Sequence, residues 1–135
     1  MTFKTMIIVA AFMAIATIAE AQFRLEIEIT GLRNDKGTIM LQLLDTVQQV
    51  VAERMETISN GKCTLIIGEL KAGKYAVRYF HDENLSGKME TGRFGIPTEG
   101  YGFSNNASGM FGPLPFKKWI FEVTADKKIN LEPVY

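Results

Sequence analysis

The chain has 135 residues, and its 15 lysines and arginines balance 15 aspartates and glutamates. That balance leaves no basic stripe, which argues against a nucleic-acid partner, and no basic amphipathic segment suits a membrane surface. A single cysteine excludes an internal disulfide, and the length suits one domain that buries a core without such staples.

The N-terminus reads as a segment apart from the fold. Lys4 precedes an apolar run from Met6 to Ile18, and Ala19-Glu20-Ala21 follows with the A-x-A spacing of a signal peptidase site. The run is shorter than the roughly 20 residues of a comfortable membrane span. The expectation is a signal peptide over 1–21 and a domain over 22–135. The protein would then be secreted or periplasmic, with no membrane span after cleavage. The alternative is an uncleaved anchor.

Residues 23–30, FRLEIEIT, place Phe23, Leu25, Ile27 and Ile29 on one face and Arg24, Glu26, Glu28 and Thr30 on the other. That period of two predicts a half-buried strand. A turn region over 31–37 leads to a second strand, TIMLQLL, over 38–44. Residues 45–53 fit either a helical turn or a ragged edge strand. A strand over 54–59 is expected to turn at Asn60-Gly61, a strong hairpin signal, and to continue through 63–67. Cys63 in KCTLIIG reads as a buried small apolar residue, since no cationic or histidine neighbour marks it as a reactive thiol.

KYAVRYF, 74–80, is rich in aromatic and β-branched residues and predicts another strand. Two more are expected at 117–124 and 128–134, with Pro133 marking an edge or an end. No long helix appears. About seven short strands with turns between them predict an all-β fold, a single antiparallel β-sandwich of immunoglobulin-like or transthyretin-like kind.

Between the last two groups of strands lies a long glycine- and aromatic-rich stretch, residues 81–116, with no periodicity. Its opening has the spacing of a calcium loop. Asp82, Asn84 and Ser86 occupy first, third and fifth positions, Gly87 permits a sharp turn, Lys88 offers its carbonyl, and Glu90 closes the set. Ser86 is a neutral ligand, and Arg93 stands where an EF-hand has a bidentate glutamate. A modest affinity is therefore expected, in the range of extracellular modules at roughly 10⁻⁴ to 10⁻³ M. The alternative is a solvated polar turn. Zinc is disfavoured, since His81 is the only histidine and Cys63 lies in another strand.

Residues 92–116 are too apolar for disorder, with Phe94, Ile96, Tyr101, Phe103, Met110, Phe111, Leu114 and Phe116. They predict an ordered cap in which Asn105 and Asn106 satisfy backbone groups. Tyr101, Phe103, Phe111 or Trp119 could form a stacking platform for a sugar or peptide, with His81 beside them, or could serve as a loop mini-core. His81 fits a structural hydrogen-bonding role at a strand end. The competing reading is a hydrolase using His81 with a nearby carboxylate, or an acidic pair such as Glu83 with Glu99. Ser104, in Phe-Ser-Asn, does not sit in a nucleophile elbow.

The run from Gly73 to Asn84, G-x-Y-A-x-x-x-F-H-D-x-N, followed by F-G-I-P-x-E-G-Y-G-F-S-N-N and F-G-P-x-x-F, resembles the domain of unknown function 2141 family. The resemblance spans essentially the whole chain after residue 21. It implies small secreted bacterial proteins with a β-sandwich domain, and it supplies no activity. The family's loop reads Asp-x-Asn-x-Asn-Gly-x-x-Asp, which this chain matches at Asp82, Asn84 and Gly87 and departs from at Ser86 and Glu90. These readings together lead to the expectation of a non-enzymatic binding or structural module of the cell envelope. Its partner would be an extracytoplasmic glycan, peptide or protein, and calcium would be its one candidate cofactor.

Overall fold

The computed structural model describes residues 19–109 and 111–135. The expected signal segment up to Ile18 lies outside the described residues. The fold begins at β1, Gln22–Ile29. It continues with β2, Thr38–Leu44, β3, Val50–Thr57, β4, Cys63–Lys71, and β5, Gly73–Asp82. The chain after β5 adds β6, Tyr101–Phe103, β7, Ser108–Gly109, β8, Gly112–Pro113, β9, Phe121–Val123, and β10, Lys127–Leu131. Three short 3-10 turns lie at Arg93–Gly95, Ser104–Asn106 and Phe116–Lys118. Among the described residues no helix is long and apolar enough to cross a membrane.

The strands form two main sheets. Sheet A has the order β10-β1-β4, and sheet B has the order β3-β2-β5-β6, with β9 also pairing with β5. Alternation explains why the sheets face each other. Leu25, Ile27 and Ile29 of β1 and Leu65 and Ile67 of β4 point inward from sheet A. Ile39, Leu41 and Leu43 of β2 and Tyr75, Val77 and Tyr79 of β5 point inward from sheet B. All belong to one buried cluster, so the fold is all-β with two sheets packed over a shared core. Each fully buried leucine or isoleucine contributes about 1.5–3 kcal/mol.

Three features differ from the sequence expectation. The first is the turn at Asn60-Gly61. It forms as expected, with both residues at positive φ (54° and 70°) and Ser59 paired with Lys62. The strands it joins then part into opposite sheets. The turn signal is local, but the choice of sheet is not. β4 pairs with β1 and buries Cys63, Leu65, Ile67 and Leu70. β3 buries almost none of its side chains, Val50, Val51 and Met55 included, and stays as an exposed edge beside β2. The open side between β3 and β4 is bridged by Arg54, whose Nε donates to the Ile66 carbonyl at 3.2 Å.

Second, sheet A is not wholly antiparallel, because β10 runs parallel to β1 from Leu25↔Lys127 to Ile29↔Leu131. Third, the stretch expected as one irregular loop contributes β6 to sheet B, in register Arg78↔Phe103 and Phe80↔Tyr101. The ambiguous 45–53 region resolves into a turn, in which Asp45 Oδ1 accepts from the backbone of Val47 and Gln49, followed by the edge strand β3.

Candidate functional site

The outward side chains of sheet B form a concave groove of about 710 Å³. Strand register builds it in two rows. Met55, Met40, Phe80 and Tyr101 stand opposite one another across β3, β2, β5 and β6, giving an apolar row. Glu53, Gln42, Arg78 and Phe103 form the neighbouring row. In that second row Gln42 Nε2 donates to Glu53 Oε1 at 2.8 Å, and Arg78 Nε donates to Gln42 Oε1 at 2.7 Å. The amide thus bridges a carboxylate and a guanidinium. Phe103 closes the row by stacking on Trp119, with ring centroids 4.1 Å apart, and Trp119 meets Phe116 edge-on. Met89 and Gly87 of the following loop form a further wall.

That loop is held from both sides. Inside it, Asp82 Oδ1 accepts from the Ser86 backbone at 3.0 Å and Oδ2 from the Gly87 backbone at 2.9 Å. Outside it, the buried carboxylate of Glu99 accepts from Glu83 N at 2.7 Å and from Glu90 N at 3.0 Å. One side chain therefore clamps the two ends of the loop. Gly37 allows the neighbouring turn to approach: at φ +65° it lies against the Asp82 carbonyl, where a Cβ would clash.

The five residues expected to hold calcium are brought together. Ser86 Oγ lies 3.4 Å from Asp82 Oδ1 and donates to the Lys88 carbonyl at 2.8 Å, and Asn84 Nδ2 donates to Glu90 Oε1 at 3.2 Å. The hydrogen bond from Asn84 holds the Glu90 carboxyl below its ordinary pKa. Among the described residues no three His, Cys, Asp or Glu side chains gather as a metal-holding group. The expected set has only two carboxylates, so amide, hydroxyl and carbonyl oxygens would have to complete it.

The expected ligand-binding residues divide. Tyr101 and Phe103 line the groove. Phe111 is fully exposed at the β7–β8 turn, away from it. His81 is fully buried. Its Nε2 lies 2.6 Å from the Lys36 carbonyl, which can only accept, so this nitrogen carries a proton. Its Nδ1 lies 2.8 Å from the Tyr135 hydroxyl, which in turn accepts from Arg33 N. Both ring nitrogens are therefore occupied. Glu83 pairs with the Arg33 guanidinium and accepts from Asn34 at 2.8 Å. Burial raises the Glu83 pKa, but these partners outweigh it and leave the carboxyl below its ordinary range. Glu99 faces the backbone of Glu83, not its carboxylate.

The remaining motif residues position the groove. Gly102 lies against the Tyr79 ring and Gly100 against the Tyr135 ring, each too close for a Cβ. Ser104 Oγ accepts from Val77 N at 2.8 Å and donates to the Trp119 carbonyl. As expected, the two asparagines satisfy backbone groups. Asn105 donates to the carbonyls of Lys118 and Ile120, and Asn106 accepts from Glu132 N. Cys63 is buried, and burial pushes its thiol up to about 12.

Sequence reasoning missed most of the groove: Met40, Gln42, Glu53, Met55, Arg78, Phe80 and Met89. Part of the signal was there. TIMLQLL and KYAVRYF carry large apolar residues on both faces, which a strand with one solvated face does not need. Glu99 had no local signature, because its partners are backbone groups 9 and 16 residues away.

Fold and site together define an all-β, two-sheet domain with an aromatic and methionine groove on one outer face. Within that class, the chain belongs to the family described as uncharacterized protein conserved in bacteria (DUF2141), whose profile matches residues 27–131. The match runs from β1 into β10 and includes the groove and the clamped loop. No curated protein and no solved structure matches the chain.

Proposed function

We propose that the protein is a non-enzymatic, extracytoplasmic binding module whose ligand occupies the outer groove of sheet B. The groove supports this reading because its volume lies in the roughly 300–1,000 Å³ range of ligand sites, with an apolar row beside a short polar ladder. Methionine supplies adaptable apolar contact, and three methionines, Met40, Met55 and Met89, line this one face. The A-x-A segment at Ala19-Glu20-Ala21 supports export. No observation at His81 favours the hydrolase reading.

Titration with the fluorescent probe anilinonaphthalene sulfonate tests the groove. The folded chain should bind it saturably, and Met40→Glu should weaken binding at least tenfold while the circular dichroism spectrum and melting temperature hold. Absence of saturable binding, or binding indifferent to Met40→Glu, would overturn the reading.

Calcium at Asp82, Asn84, Ser86, the Lys88 carbonyl and Glu90 is proposed as the loop's support. The hydrogen bonds that already link these groups favour it, and an oxygen that accepts one N–H keeps a lone pair for a cation. About 10 mM calcium is roughly tenfold to a hundredfold the expected dissociation constant, which stabilises by about 1.4–2.7 kcal/mol. Millimolar calcium should therefore raise the melting temperature relative to chelator. Magnesium should not, and Asp82→Ala should abolish the shift. An identical melt in chelator and in about 10 mM calcium would sink the calcium proposal.

A further inference from the structure

The groove has a charge preference as well as a shape. Three charged side chains line it: Glu53, Arg54 and Arg78. Glu53 accepts from the neutral Gln42 amide and keeps its charge, and Arg54 is turned to the backbone carbonyls of Glu53 and Ile66. Arg78 donates through Nε to Gln42, and among the described residues no carboxylate pairs with it. Its two terminal nitrogens are therefore available beside Phe80 and Phe103, its neighbours in strand and register. A guanidinium presents paired donors that match the two oxygens of a carboxylate.

The apolar row beside it crosses four strands. Three inter-strand spacings of about 4.8 Å give a row about 14 Å long. Met55, Met40, Phe80 and Tyr101 run along it, with Met89 at the rim. The row offers no charge.

From these observations we infer that the groove binds a single-chain fatty carboxylate, with the tail along the Met55–Tyr101 row and the head group at Arg78. This rests on the groove being the ligand site and names its occupant. The lining carries two guanidiniums against one carboxylate, and that excess of positive charge selects an anionic head over a cationic one. The limited volume selects a free single chain over a lipid bilayer surface.

Calorimetric titration of the full chain with dodecanoate, dodecanol and dodecylammonium separates the terms. Dodecanoate should bind with one-to-one stoichiometry and weaken about two- to fourfold for each methylene removed, as decanoate and octanoate replace it. Dodecylammonium should bind at least fivefold more weakly. Arg78→Gln, at an exposed position that leaves the melt unchanged, should weaken dodecanoate about fivefold and leave dodecanol unaffected.

Equal binding of the anionic and cationic amphiphiles would overturn the inference, as would an Arg78→Gln chain that keeps full affinity for dodecanoate. Binding to phosphatidylglycerol vesicles without binding to free dodecanoate would overturn it in favour of a membrane surface. Saturable anilinonaphthalene sulfonate binding without any preference for dodecanoate would keep the groove and remove the fatty carboxylate. Failure of every probe would remove both.

Discussion

The two sheets obey the same alternation, yet their outer faces are different surfaces. On sheet A the outward residues of β1 include Glu26 and Glu28, and Lys128 of the neighbouring β10 reaches both, at 3.7 and 2.9 Å. That is a solvated, self-neutralising face. On sheet B the same outward positions carry Met40, Met55, Phe80 and Tyr101 beside the Glu53–Gln42–Arg78 ladder. A strand needs only one apolar face to fold. The second apolar face on β2 and β5 is therefore not explained by the core, and it is the face that the proposed ligand would cover. Sheet B is also the sheet that the glycine-rich segment extends, through β6, and that the clamped loop walls.

The largest expected effect comes from Gly102→Ala. The added Cβ meets the buried Tyr79 ring at less than 3.0 Å, and overpacking of this kind costs about 1–3 kcal/mol, here toward the upper end. Denaturant unfolding should show that loss, and surviving folded protein should bind anilinonaphthalene sulfonate poorly, because β6 carries two groove aromatics. A chain of full stability would mean that β6 does not lie against Tyr79.

Glu99→Ala comes next. It leaves the Glu90 N–H without its acceptor and the Glu83 N–H with only the His81 carbonyl, at 3.0 Å. A bond to a charged acceptor is worth about 1.5–3 kcal/mol, and water entering an opened loop returns part of that for each of the two. A net loss of about 2 kcal/mol is expected, with fast amide exchange at Glu90. Unchanged protection of that amide would refute the clamp.

Acid sharpens the comparison by setting Glu83 against Glu28. Both carboxyls are held below their ordinary pKa, Glu28 by Lys128, and Glu83 by Arg33 and Asn34 against the opposing effect of burial. A depressed carboxyl contributes stability that is fully present above its unfolded pKa and is lost as pH falls through the lower folded value. Stability should therefore decline below about pH 4. Glu83→Gln should flatten that decline measurably at both low and 0.5 M salt. Glu28→Gln should flatten it only at low salt, because an exposed pair is screened. Equal salt sensitivity of the two would place Glu83 among the solvated surface pairs.

The smallest effect is expected from Lys128→Ala. The pair lies on the solvated face, where such contacts contribute little, and the melting temperature should move by no more than about a degree. Groove binding should not change. A loss of probe binding would break the division between the two faces.

Much of the fold was legible in the residues. The alternation in FRLEIEIT and TIMLQLL gives β1 and β2 with their inward faces, and Asn60-Gly61 gives its turn. The loop residues from Asp82 to Glu90 are joined by hydrogen bonds among themselves. The groove was only partly legible. Tyr101 and Phe103 were visible as aromatics in a glycine-rich run. Met40, Met55 and Arg78 were not, since their meaning depends on which strands lie side by side.

The sequence by itself determined what is local: the period of two, the positive-φ turn residues and the spacing of polar groups within one loop. Each of these depends on neighbours a few residues away. Tertiary structure decided the rest. It sent β3 and β4 to opposite sheets, set β10 parallel to β1, brought β6 onto β5, and placed Glu99 under a loop that begins 16 residues earlier. Those choices follow from which pairings bury the most apolar surface over the whole chain. The groove exists only once four strands, far apart in the sequence, have taken their register.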